Sequence, residues 1–299
     1  MAVVGELDFE SFVRRRRERR GPFVGGEGER AYAYALDRTV RSGFDKVKPV
    51  ELAIAASVRM FKAFGKGQLL GGAVKVSERQ FPRVHGLAKE CAETLGIAVP
   101  SVYIVNSPTL NAATYGTQDD SFILVHSALV DHFEDDELRS VLGHEAGHIH
   151  NDHVVYLTAL HFLTQMAGMF VRFSVTPAML GLRAWARRAE VTCDRAALLC
   201  TKDVSATERS LAKLALGSRK LYEDLDLEEL LAQDAEGREG PGRFAELFAT
   251  HPFLPKRILA LRVFAESRLY RGHAGLGDDG LTMEEVDREV GNLVQVVGR

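Results

Sequence analysis

The chain has 299 residues, of which 46% are apolar and 26% charged, and carries a formal net charge of −3. This is enough apolar material for one substantial core with an N-terminal extension, and with no global positive field the composition gives no sign of a nucleic-acid partner. The three cysteines, Cys91, Cys193 and Cys200, are odd in number and lack paired metal spacing, which argues against a disulfide scaffold and for a reducing compartment.

No apolar stretch precedes the basic run near the N-terminus, so the expectation is a cytoplasmic protein without a secretory signal. That run, Arg14-Arg15-Arg16-Arg17-Glu18-Arg19-Arg20, reads first as a solvated helix face or arm, with peripheral contact to anionic lipid headgroups as the alternative. Residues 28–64 hold two helix-like stretches separated near Ser42-Gly43. Gly65 to Gly72 reads as a loop, and it lacks the lysine-serine ending of a phosphate-binding loop. From Ser77 to about Leu95 the pattern is helical, stopping at Gly96. Short strands follow around Val102–Val105, Leu110–Thr114 and Phe122–Val125.

The next segment carries the chemistry. Asp135, Asp136 and Glu137 place acids where a helix N-terminus favours them, and Leu138, Val141, Leu142 and Ile149 supply an apolar stripe at helical spacing. Inside this helix lies His144-Glu145-Ala146-Gly147-His148. Histidines at i and i+4 stand on one face and can share a tetrahedral metal ion, for which Zn²⁺ is the natural occupant. Glu145 points about a hundred degrees around the helix, where it cannot ligate but can deprotonate a water at the metal. His150 and His153 fall further round and read as surface groups or outer neighbours of the ligands.

Val154 to Leu182 is apolar but interrupted by His161, Gln165 and Arg172 and broken at Pro177, which favours a pair of packed amphipathic helices over a membrane hairpin. A catalytic zinc with two histidines and a water needs a further His, Glu, Asp or Cys from downstream. Glu190 is the best candidate, on a helix from about Ala186 to Cys200; Asp194, four residues on, shares its face and can orient a ligand imidazole. Helical patterns then dominate, with Gly237 to Gly242 as a break and Thr282-Met283-Glu284-Glu285 as a capping box opening a last helix.

Glu190-x-x-x-Asp194-Arg195-Ala196 after a His-Glu-x-x-His helix resembles the HtpX-like metallopeptidases, gluzincins related to the CAAX prenyl proteases. The strand segments around Asn111-Ala112 and Phe122–Val125, and Thr250-His251-Pro252 followed by Arg257-Ile258-Leu259, are similar to that family's motifs in the same order. The resemblance spans about residues 75–265. It implies a mostly helical α+β fold with a small mixed sheet beside the active-site helix, and it places Asn111 and Ala112 on a sheet edge that an extended substrate can join. It also brings His251 near the metal, to stabilise the oxyanion or to occupy the fourth zinc position.

The expected organisation is an N-terminal helical extension (1–74), a catalytic domain (75–270) and a C-terminal linker with a helix (271–299). The expected function is a zinc endopeptidase with one Zn²⁺ per chain, acting on peptide or protein substrates in protein quality control. Two other readings stand beside it: a zinc-binding, chaperone-like or latent protein without peptide turnover, and a membrane-associated scaffold built on Val154–Leu182.

Overall fold

The computed structural model describes residues 30–44, 54, 59, 61, 65–117, 120–167, 176–237 and 251–294. The basic run at Arg14–Arg20, most of the second helix-like stretch before Gly65, and the glycine-rich break after Gly237 lie outside the described residues.

The first element is helix α1 (Ala35–Phe44), followed by the short helix α2 (Lys66–Leu70), where the sequence reading expected only loop. Leu69 and Leu70 pack there against a small cluster around Phe61, Phe122 and Leu124, so burial selects a helical turn that the flanking glycines disguise. Helix α3 (Pro82–Leu95) ends as expected, with Gly96 in the left-handed conformation and its N–H returned to the last turn. It begins five residues later than the periodicity suggested. Ser77 and Gln80 bond each other across a tight turn, and Pro82 supplies the fixed φ suited to a first helical position.

Strands β1 (Ala73–Lys75), β2 (Ser101–Val105), β3 (Ala112–Gly116) and β4 (Ser121–His126) form one sheet in the order β1-β2-β4-β3. The β2–β4 pair is parallel and the other two pairs are antiparallel, so the sheet is mixed and β3 lies at its edge. Short helix α4 (Ser127–His132) leads to α5 (Asp135–His150), whose N-terminus carries a reciprocal capping box between Glu134 and Glu137. Leu138, Val141 and Leu142 are buried on the expected stripe.

Helix α6 (Val154–Ala167) precedes α7 (Thr176–Thr201), which starts ten residues earlier than the helix expected from Ala186. Pro177 does not break it; the proline sits in the first turn, where its missing N–H has no intrahelical acceptor to lose. Among the described residues, no helix is long and apolar enough to cross a membrane. The chain continues through α8 (Val204–Leu216), α9 (Arg219–Glu223), α10 (Leu227–Gly237), α11 (Leu254–Ala265), α12 (Arg268–Ala274) and α13 (Met283–Val294). Thr282 and Glu285 cap α13 reciprocally, as the sequence indicated.

The core is organised around the crossing of α5 and α7. A Cβ added at Gly143 would lie 2.9 Å from the Cβ of Cys200, and one at Gly147 would lie 2.8 Å from the Cβ of Ala196, so both glycines exist to let these two helices approach. The same apolar cluster takes Tyr32 and Tyr34 from the N-terminal segment and Val286 and Val290 from α13, which therefore pack into the body that holds the site. The three cysteines are buried and free.

Candidate active site

Helix periodicity sets the first half of the site. His144 and His148 stand one turn apart on α5 with ring centroids 4.9 Å apart. The second half comes from α7, which the glycine contacts hold against α5. Glu190 Oε2 lies 3.4 Å from His144 Nε2, and Glu190 Oε1 lies 3.5 Å from His148 Nε2. Two imidazole nitrogens and one carboxylate thus converge on one point.

Three further groups hold this arrangement. His144 Nδ1 lies 3.0 Å from Asp194 Oδ1, one turn beyond Glu190. Arg257 of α11 grips Asp194 with two hydrogen bonds, Nε to Oδ2 at 2.8 Å and Nη2 to Oδ1 at 2.6 Å, and comes within 3.3 Å of Glu190. Glu145 is buried, and the Thr114 hydroxyl of β3 donates to its Oε2 at 2.6 Å. The sheet edge therefore orients the carboxylate that the sequence marked as a base.

Electrostatics follow from this geometry. Burial works against a charged Glu190, but His251, His144 and Arg257 outweigh it and hold its carboxyl well below the usual range. Asp194 is likewise lowered against burial, by Arg257 and His144. Burial disfavours a cation at His144, yet Glu190 and Asp194 prevail and raise it to about 10.

The donor set suits a divalent ion. Glu190 is buried and held ionised among His144, His251 and Arg257, so its carboxylate is an anionic oxygen donor beside two imidazole nitrogens. A second trio also lies within mutual reach, His144, His148 and Cys193. Cys193 Sγ is also 3.7 Å from His153 Nδ1, the ring nitrogen that itself contacts His148 Nδ1 at 3.1 Å. Burial, with Glu190, Asp37 and Glu145 adding to it, pushes that thiol well up, towards its neutral form.

His251 is brought to the site from the segment before α11, with Nδ1 2.7 Å from Glu190 Oε2 and its side chain 60% exposed. Asn111 and Ala112 line two clefts on either side of His144, Glu145, Glu190 and His251. One cleft runs toward Val141, Leu211 and Leu214; the other runs toward Tyr115, Leu160 and His161. All eight site residues expected from the sequence thus lie around one centre. Sequence reasoning missed Thr114, Arg257 and Cys193. Of these, Thr114 and Arg257 left a local trace, as parts of the Leu110–Thr114 strand and of the segment after His251-Pro252.

Comparison with known proteins gives the same direction. The family model described as Peptidase family M48 matches residues 78–265. The chain is 39% identical over 168 residues to a plastoglobule-localized metallopeptidase 48 of Arabidopsis thaliana, a match covering 55% of this chain and 49% of the relative. It is 27% identical over 245 residues to a protease HtpX homolog of Tropheryma whipplei, covering 71% and 83%. To the protease HtpX of Vibrio vulnificus it is 31% identical over 208 residues, covering 58% and 69%. The chain thus spans about half the length of the plant relative and more of the bacterial ones.

Proposed function

The chain belongs to peptidase family M48, and from that premise we propose that it is a zinc-dependent endopeptidase, with one zinc held by His144, His148 and Glu190 and with Glu145 as general base. The observation that carries the reading is the convergence of two imidazole nitrogens and one buried carboxylate beside a separately oriented glutamate.

Bound zinc supplies Lewis acidity, lowering the pKa of a coordinated water to about 7 and polarising the scissile carbonyl. The chain's own groups do the rest. Glu145, locked through Oε2 by Thr114, keeps its other oxygen free to accept a proton from water and return it to the leaving amine. Asp194 accepts the Nδ1 proton of His144, which turns that ring's Nε2 lone pair toward Glu190 and the metal position. Arg257 keeps Asp194 ionised and fixed. Edge strand β3, beginning at Ala112 next to Asn111, offers main-chain hydrogen bonds to an extended peptide. Clefts on both sides of the centre let a chain pass through, which suits cleavage within a chain better than trimming at an end.

His251 is placed to stabilise the oxyanion or to hold the fourth metal position at rest, consistent with its approach to Glu190. Substrates are peptides or proteins. Protein quality control and a cytoplasmic location with peripheral membrane contact are inferred from the family likeness, the cysteine usage and the basic run.

The test is Glu145→Gln, assayed on an unfolded protein such as casein and on zinc content. Hydrolysis should vanish while zinc stays near one per chain. Normal turnover by this variant would remove the mechanism, and zinc-loaded wild-type protein without turnover would favour a chaperone-like binding role.

A further inference from the structure

The two histidine ligands are not supported alike. His144 meets a carboxylate directly, at Asp194. His148 meets another imidazole: its Nδ1 lies 3.1 Å from Nδ1 of His153. His153 follows α5 through Asp152, whose φ of 56° turns the chain back so that the His153 N–H bonds the His148 carbonyl at 2.9 Å. Beyond His153 stands Asp37 of α1, with Oδ2 3.0 Å from His153 Nε2. The approach is bent, but that nitrogen is enclosed and has no other hydrogen-bond partner.

Asp37 is itself held on both oxygens. The Thr192 hydroxyl donates to Oδ2 at 2.7 Å and the Trp185 indole to Oδ1 at 2.8 Å, both from α7. The ring of His153 stands edge-on to Trp185, and both residues are fully buried.

With His148 Nε2 committed to a metal, these contacts are satisfied by a neutral His153 in one pattern of protons. An ionised Asp37 can only accept, so His153 carries its proton on Nε2 and presents a lone pair at Nδ1. That lone pair accepts from His148, whose proton must then lie on Nδ1, leaving the Nε2 lone pair toward Glu190 and His144. The Cys193 thiol, 3.7 Å from His153 Nδ1, is a weaker and longer competitor for the same lone pair.

We propose that Asp37 is a positioning residue of the metal centre, acting through His153 to fix the tautomer and orientation of His148. The helix that supplies it lies outside residues 78–265, so the N-terminal segment completes the centre of the matched domain. The inference rests on His148 being a metal ligand.

Three measurements on the full-length chain test it, with zinc affinity read by chelator competition and stability by thermal unfolding. Asp37→Asn should weaken zinc binding about 10–100-fold, as is typical for groups orienting a ligand. Val290→Ala in α13 trims a fully buried apolar side chain that makes no bond to Asp37 or His153, so it should lower thermal stability and keep zinc affinity at the wild-type value. In the zinc-loaded wild type, long-range ¹H–¹⁵N spectra should show the proton of His153 on Nε2 and that of His148 on Nδ1. This last readout needs no variant to fold.

Wild-type zinc affinity in Asp37→Asn overturns the proposal, as does a His153 proton on Nδ1. So does an equal loss of affinity in Val290→Ala. A His148→Ala variant that binds zinc as tightly as wild type instead overturns the metal-ligand reading on which the proposal stands.

Discussion

Gly147 is the position where packing and chemistry meet most tightly, because it lies between the two histidine ligands' helix and the helix that carries Glu190. An alanine Cβ there would stand 2.8 Å from the Cβ of Ala196 and 3.3 Å from the Cα of Cys193, where ordinary contacts begin at 3.4 Å. Neither neighbour is the tip of a flexible side chain, so α5 and α7 must separate by roughly 0.6 Å (3.4 − 2.8). Zinc ligand distances tolerate only about 0.2 Å. In stability, alanine gains about 1 kcal/mol over glycine inside a helix, and overpacking costs about 1–3 kcal/mol. Gly147→Ala should therefore be neutral to about 2 kcal/mol destabilising, while zinc affinity falls by more than about tenfold, the scale of other displacements around a metal site. Gly86→Ala in α3 is the control, since nothing lies within 4 Å of its Cβ position; it should gain up to about 1 kcal/mol and leave zinc binding alone. Denaturant unfolding and chelator competition give both numbers. If Gly147→Ala gains stability like Gly86→Ala and binds zinc like wild type, the close approach of the two helices is not what holds the site.

Glu190→Ala should strip zinc from the protein, and Asp194→Ala should weaken its binding by about 10–100-fold; unchanged affinity in Glu190→Ala would hand the third position to another residue, Cys193 first. His251→Ala separates two roles by sign: kcat falls by about 10²–10³ if the imidazole stabilises the oxyanion, whereas basal proteolysis rises if it blocks the metal at rest. Glu137 and Lys213 form a buried ion pair, with Nζ 2.6 and 2.8 Å from the two carboxylate oxygens. Lys213→Met should cost about 3 kcal/mol, the low end for breaking a buried pair because Arg209 Nε stays 3.4 Å from the carboxylate, and Glu137→Gln added to it should recover most of the loss, since Gln can still cap Glu134; no recovery in unfolding experiments would mean the lysine acts through packing alone.

What could be read from the chain by itself was whatever a single element dictates. The i, i+4 spacing put His144 and His148 on one face and Glu190 and Asp194 on another, Gly96 marked a helix end, and Thr282 with Glu285 marked a start. Helix periodicity and capping act within a few residues, so they leave local signatures. The start of α7 at Thr176 was misread because a proline that interrupts a helix and one that opens it look alike in sequence, and the helical turn at Lys66–Leu70 was hidden because packing against distant residues overrode its flanking glycines. The support of the site was hidden for the same reason. Thr114 reaches Glu145 from a sheet edge, Arg257 reaches Asp194 from a helix 63 positions away, and Asp37 reaches His153 from the far N-terminal side. A hydrogen bond between residues far apart in the chain has no periodicity. Only the packing of α5 on α7 at two glycines brings those partners within reach, and it is this packing that turns two pairs of residues with helical spacing into one centre.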